Sequence, residues 1–327
     1  GAGMVDGYQV ADGDSSSTEE VKVLAASPDI GTSTLVTQKD LSAQDTSMTG
    51  IEFRPDGSNF YAVGNDNNEV YQYDSGFYSL AVATFNRSFD VTGQASVPVG
   101  VEFNDDGSAM YVTDDATDTV YQYALSEPWN VSTAATDGSL DVSVESNDPR
   151  AIDFNGDGTV LYTVDSVDDE IEEYHLSTAY DVTTASHMDS FDISAQVSMP
   201  TGMDFSVAGE QFLVVGEDTD TVFQYDVETA YDVSTASYSG NSLDIAGDTN
   251  RPAALAYEDN GKKLFTVDRQ DGNSLKYNSS ETETIVNEET NTKYRDVSLH
   301  EKFPLGAIVL LVGFVMFMFG SGEASKK

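Results

Sequence analysis

Four carboxylates recur in step along this chain: Glu52, Glu102, Asp153 and Asp204, at intervals of 50, 51 and 51 residues. Each stands between two apolar residues, in Ile51-Glu52-Phe53, Val101-Glu102-Phe103, Ile152-Asp153-Phe154 and Met203-Asp204-Phe205; the fifth equivalent is Ala256. In a strand, the middle residue of such a triplet points to the face opposite its neighbours. Gathered into a ring, the four offer the oxygen ligands that Ca2+ or another hard cation takes. The plainer alternative is that they hydrate a channel or cap backbone amides, because an unpaired buried carboxylate is costly. A second acidic set keeps the same interval: Asp66; Asp114, Asp115 and Asp118; Asp165 and Asp168; Asp218 and Asp220. On one face these form a candidate binding surface for a cation-bridged receptor or glycan, to be weighed against a merely solvated rim. A third set, Asp40, Asp90, Asp141, Asp192 and Asp244, reads as structural, each accepting hydrogen bonds from an adjoining loop.

The absent residue types narrow the chemistry further. There are no cysteines and three histidines, which removes thiol catalysis, cysteine metal sites and a histidine-rich centre. With 57 acidic and 15 basic residues the net charge is −42, which excludes electrostatic binding to a nucleic-acid backbone. We therefore expect no catalytic residues and no enzyme. The same charge would repel itself at low ionic strength and be screened at molar salt, which predicts a very salty medium. Asn86, Asn130 and Asn278 open Asn-X-Ser sequons, candidates for N-glycosylation if the chain is exported.

The elements that must position these groups repeat with them. After each first-strand segment comes a turn: Pro55-Asp56-Gly57, Asp105-Asp106-Gly107, Gly156-Asp157-Gly158, Val207-Ala208-Gly209 and Asp259-Asn260-Gly261. Asp-Gly and Asn-Gly between apolar runs are hairpin signals, since glycine supplies the positive φ. Second strands follow at Phe60-Tyr61-Ala62-Val63 and its counterparts, and third strands at Val70-Tyr71-Gln72-Tyr73 and its counterparts. A fourth motif, Phe89-Asp90-Val91, recurs at 140, 191 and 243, but its remaining copy, Lys39-Asp40-Leu41, precedes the first complete repeat. Four antiparallel strands in each of five repeats predict an all-β, five-bladed β-propeller. The displaced copy predicts that the N-terminal strand closes the ring.

The repeat text resembles the Asp-Gly/Tyr-Val repeats of YVTN-like surface propellers and, more distantly, lactonase-like propellers. Connections such as Thr178-Ala179-Tyr180-Asp181-Val182-Thr183-Thr184-Ala185 look like a variant of phage and haloarchaeal virus surface proteins. The resemblance spans residues 33–277 and implies the fold; propellers host binding, scaffolding and catalysis alike.

The ends differ from the middle. Residues 1–32 read as a flexible arm without a secretory signal, and 278–302 as a polar stalk. From Phe303 to Gly322 there is no charge, and twenty helical residues span about 30 Å, the thickness of a bilayer core. A C-terminal transmembrane helix over 303–322, followed by a short basic tail at 323–327, is the expectation. Together these features predict a membrane-anchored surface propeller. We expect a virion spike or membrane-to-capsid protein of a halophilic archaeal virus, located in the virion membrane or at its surface. Its expected partners are the bilayer, capsid or neighbouring surface proteins, and a host receptor or glycan. The alternatives are an archaeal cell-surface adhesin or S-layer-associated protein, and then a lactonase-like hydrolase.

Overall fold

In the computed structural model, side chains are described for residues 29–258 and 261–279; beyond these only the backbone of four short strands is described. The chain divides into two units, one holding the repeats and the other comprising Met4–Leu24 and Ile285–Lys327. In the second unit, where an arm was expected, Tyr8–Ala11 pairs antiparallel with Thr18–Val21. The segment 303–322 lies outside the described residues, among which no helix is long and apolar enough to cross a membrane.

The repeats form five four-stranded antiparallel sheets. Blade I is Met48–Phe53, Asn59–Gly64, Glu69–Asp74 and Thr84–Asp90. Blades II, III and IV begin at Pro98, Pro149 and Pro200 and end at Asp141, Asp192 and Asp244. Blade V takes Pro252–Glu258, Lys263–Asp268 and Asn273–Asn278 from the end of the repeats and its outermost strand, Thr34–Asp40, from the beginning. Leu275 pairs with Gln38 and Tyr277 with Leu35, so the predicted closure of the ring by an N-terminal strand is observed. The innermost strands adjoin one another all round, including Pro252–Glu258 against Met48–Phe53. A closed ring leaves no innermost sheet edge exposed.

Blades are held together by a repeated set of contacts. The phenylalanine near the end of four of the five innermost strands packs on the second strand of the preceding blade: Phe103 on Tyr61 at 4.2 Å, Phe154 on Tyr111 at 4.7 Å, Phe205 on Tyr162 at 4.7 Å. Across the closure, Phe53 meets Phe265 at 4.1 Å. Each such pair contributes about 0.5–1.5 kcal/mol beyond the area it buries. The tyrosine hydroxyls then donate to backbone carbonyls of the following blade, Tyr61 to Trp129 and Tyr111 to Tyr180.

A second series runs farther out. The third-strand side chains of Gln72, Gln122 and Glu173 accept the amides of Val131, Val182 and Val233, each opening a 3-10 turn of the next blade. Gln224 does the same for Ile30. Asp29–Thr32 is thus the blade V copy of this connection, capped by Asp29 as Asp181 and Asp232 cap theirs. Among the described residues, the Asp29–Thr32 turn therefore belongs with the propeller, since Gln224 accepts the amide of Ile30. At the remaining junction Lys276 replaces glutamine and donates to the carbonyl of Tyr78 at 3.0 Å.

The structural aspartates behave as expected: Asp40, Asp90, Asp141, Asp192 and Asp244 each accept the amide two residues on. These hydrogen bonds hold the first four carboxyls below their ordinary range.

Candidate functional site: the axial channel and its two faces

Strand direction fixes two faces. The connections into each first strand and the loops between second and third strands share one, here called the rim face. The turns between first and second strands, and the connections between third and fourth, share the other, the turn face.

Glu52, Glu102, Asp153 and Asp204 all line the channel near its turn-face end, Asp153 buried and the others half-buried. Glu258 joins them from blade V, displaced by two residues from Ala256 and so on the same side of its strand. The structure spends several carboxylate oxygens on backbone. Asp153 accepts the amide of Phe154 at 2.6 Å and, across the blade junction, that of Phe205 at 2.8 Å. Asp204 accepts Tyr257 of the next blade at 2.5 Å, and Glu102 accepts Phe103 at 2.8 Å.

The channel electrostatics follow from burial first and mutual repulsion second. Burial, reinforced by Glu102, Glu258, Asp204 and Asp153, holds Glu52 well above the usual carboxylate range. Glu102 and Asp204 are raised by the same two causes. Burial pushes Asp153 up to about 7 against its two amide hydrogen bonds. The cavity between the innermost strands is about 20 Å3, room for a water or two. Among the described residues, no three acidic or histidine side chains lie close enough to hold a metal ion together. The arrangement is suited to storing protons and clasping neighbouring blades.

The predicted rim residues separate into two kinds. Asp66, Asp168 and Asp218 are exposed on the rim face, with Asp115, Asp118 and Asp220 half-buried beside them. Asp114 and Asp165 are corrected: both are fully buried and point inward. Asp114 accepts the amide of Val97 and the hydroxyl of Thr117; Asp165 accepts the amides of Asn147, Val167 and Asp168. They clamp the connection into the first strand, as Asp268 does in blade V. Blade I reverses the arrangement. Asp45 reaches over from the connection, and Gly64 stands opposite because a Cβ there would lie 2.4 Å from the Asp45 carboxyl. No loop-charge pattern in the sequence separates these clamps from the more exposed carboxylates.

Sequence reasoning also missed the cations at the rim-face mouth of the channel. Arg150 pairs with Asp148 at 2.6 Å and Asp115 at 3.5 Å; Arg251 and Arg269 converge on Glu217. Burial and the hydrogen bond shared with Asp148 push Asp115 up to about 6. A further cluster lies on blade III, where Glu172 Oε2 stands 2.7 Å from His187 Nε2 and accepts Ser190 Oγ at 2.9 Å. Its geometry does not suit a serine relay. The carboxylate occupies the same ring nitrogen that would have to take the serine proton, instead of orienting the ring from Nδ1.

Of the sequon residues, Asn130 is committed as a cap, accepting Ser132 and donating to Glu127. Asn86 is exposed and donates to Asp74; Asn278 is exposed at the end of its strand.

No protein-family model and no curated protein matches this chain. Solved structures do. Glutaminyl cyclase from Myxococcus xanthus aligns at TM-score 0.54 and 11% identity, over 77% of this chain and 97% of that one. Two provisionally assigned 6-phosphogluconolactonases align at 15% identity. The Bacteroides uniformis protein gives TM-score 0.46 over 84% of this chain and 79% of its own. The Bacteroides fragilis protein gives 0.44 over 72% of this chain, which spans only 62% of that relative's length. At such identities the likeness is one of propeller fold.

Proposed function

We propose that this chain is a membrane-anchored surface propeller that acts by binding and architecture. The setting we infer is the virion membrane of a halophilic archaeal virus, with the protein serving as a spike or a membrane-to-capsid link. The observation that carries the reading is the polarity of the ring. The last propeller strand ends at Asn278 on the turn face, the side from which the chain continues towards the uncharged stretch 303–322. The exposed carboxylates Asp66, Asp168 and Asp218 lie on the opposite, rim face. A partner approaching from outside a membrane would meet that face first. The net charge of −42 supports a salt-rich setting.

The test uses the absence of cysteine from the chain. Ala116→Cys on the rim face and Asp105→Cys on the turn face, both exposed positions, are placed in full-length protein incorporated into vesicles or particles. A bulky maleimide should label Ala116→Cys several-fold faster than Asp105→Cys. Equal rates, or protein that fails to float with lipid, would refute the orientation or the anchor respectively.

A further inference from the structure

Blade III departs from the repeat in its rim-face loops. In the connection into the first strand, Val144 stands where the other blades carry Ala43, Gly93, Ala195 and Gly247, and it is 87% exposed. In the loop between second and third strands, Val167 stands where they carry Asp66, Ala116, Asp218 and Gln270, and it is 62% exposed. A single exposed valine is ordinary on a protein surface. Here the four sister blades serve as an internal comparison: they build the same loops without valine at either place, so the fold does not call for it.

The two loops are tied together. Asp165 accepts the amide of Asn147 from one and the amides of Val167 and Asp168 from the other, and Ser166 donates its amide to Asp148. The second loop also grips the next blade, where Asp169 accepts the amide of Met199 at 2.9 Å. Met199 is 37% exposed and stands at φ +51°, which none of its counterparts Ser47, Val97, Asp148 and Arg251 adopts. A side chain such as methionine is strained in that left-handed region, and strain gathers at working surfaces. Around these apolar side chains the loops present Glu145, Asp118, Asp168 and Asp169, none in an ion pair among the described residues. The arginine of this blade, Arg150, is taken by Asp148 and Asp115. Burial, reinforced by neighbouring carboxylates, holds Asp118 and Asp169 above their ordinary range, Asp169 despite its bond to Met199.

We infer that the rim face of blade III, with Val144, Val167 and Met199 as its apolar contacts, docks a basic segment of a partner protein, an aliphatic side chain flanked by lysine or arginine. An apolar centre inside a charged rim is the usual anatomy of a protein interface. Carboxylates without cations of their own select a basic partner and speed its approach. Loops already fixed by hydrogen bonds lose little freedom on docking. The same carboxylates repel an anionic lipid or a nucleic acid. The inference rests on the reading of the rim as the binding face, and it narrows that face to one blade and one kind of partner.

The probe is a fluorescein-labelled peptide carrying a Leu-Ile pair between lysines, compared with a peptide of equal charge in which that pair is Ser-Ser. Anisotropy titrations use full-length protein in phosphatidylcholine vesicles, at the lowest salt that keeps the circular dichroism native. Wild type should bind the Leu-Ile peptide at least five-fold more tightly than the Ser-Ser peptide. Val144→Ala with Val167→Ala installs alanines that sister blades carry at those places, and should cut that preference at least three-fold. Glu145→Gln with Asp168→Asn should weaken both peptides at least two-fold, whereas Asp66→Asn on blade I should weaken neither. No binding, equal binding of the two peptides, or a preference that survives the alanine pair overturns the docking site. Binding unchanged by the amide pair overturns the basic assignment. Protein that floats and labels first on its rim face, yet shows no peptide preference, overturns this site and leaves the surface reading standing. If the protein does not float, the anchor falls, and the same preference measured in free solution decides the site.

Discussion

Raising the pH should weaken the propeller from inside, and Asp153 sets the scale. In the folded chain its carboxyl is buried and titrates near 7; unfolded, it returns to an ordinary value near 3.8. Between those values the folded state holds a proton that the unfolded state has released. The stability due to this group is therefore complete below 3.8 and is lost as pH rises through 7. Each tenfold difference in proton affinity between the two states is worth about 1.4 kcal/mol, so the loss between pH 5 and pH 8 is roughly 2–3 kcal/mol. For a chain of this size that is a fall of roughly 5–10 °C in Tm. Glu52, Glu102 and Asp204 are raised as well and act with the same sign. Asp153→Asn removes one titration but also one of two amide acceptors, a cost of about 1 kcal/mol at all pH values. The assay is thermal melting of wild type and Asp153→Asn at pH 5, 6, 7 and 8 in molar salt, where the screening length is about 3 Å and exposed carboxylates matter little. The variant should melt below wild type at pH 5 and above it by pH 8. Parallel curves would show that Asp153 is ionised throughout and refute the proton-storing channel.

Two other outcomes follow from the same geometry. Removing residues 1–28 should leave Tm within about 2 °C, whereas removing 1–42 deletes the Ile30 turn and the outermost strand of blade V and should lower it by at least about 10 °C, many inter-blade hydrogen bonds being lost together. Because Asp153, Asp204 and Glu102 already accept backbone amides, Ca2+ should raise Tm no more than Na+ at matched ionic strength. A calcium-specific rise that disappears in the combined Glu52→Gln, Glu102→Gln, Asp153→Asn, Asp204→Asn variant would restore these residues as a cation ring.

The blade order and the closure were legible because each strand carries its own period-two text and the turns carry glycines that the packing enforces. At Gly107, where φ is +72°, a Cβ would lie 2.2 Å from the Trp129 ring, so the turn motif and the aromatic of the connection specify each other. The acidic series was legible for a similar reason: in each of four innermost strands the apolar neighbours pack on the preceding blade, which turns the residue between them to the opposite face of the sheet. Glu258 escaped because its blade shifts the charge by two positions, which preserves the side of the strand but not the motif.

The rim was less legible because identical residue types there do opposite work. Asp114 and Asp115 are adjacent, yet one is fully buried as a clamp and the other half-exposed beside Arg150. Only the partner decides: a free amide at Val97 in one case, a guanidinium 35 residues on in the other. Blade I shows the exchange most plainly, since Asp45 and Gly64 do from opposite segments what Ala95 and Asp114 do in blade II. A buried carboxylate can be supplied from either side of the junction as long as the other side makes room. Reading the loop charges alone therefore overstates the binding face, whereas reading departures from the repeat, as at Val144 and Val167, locates apolar side chains left exposed.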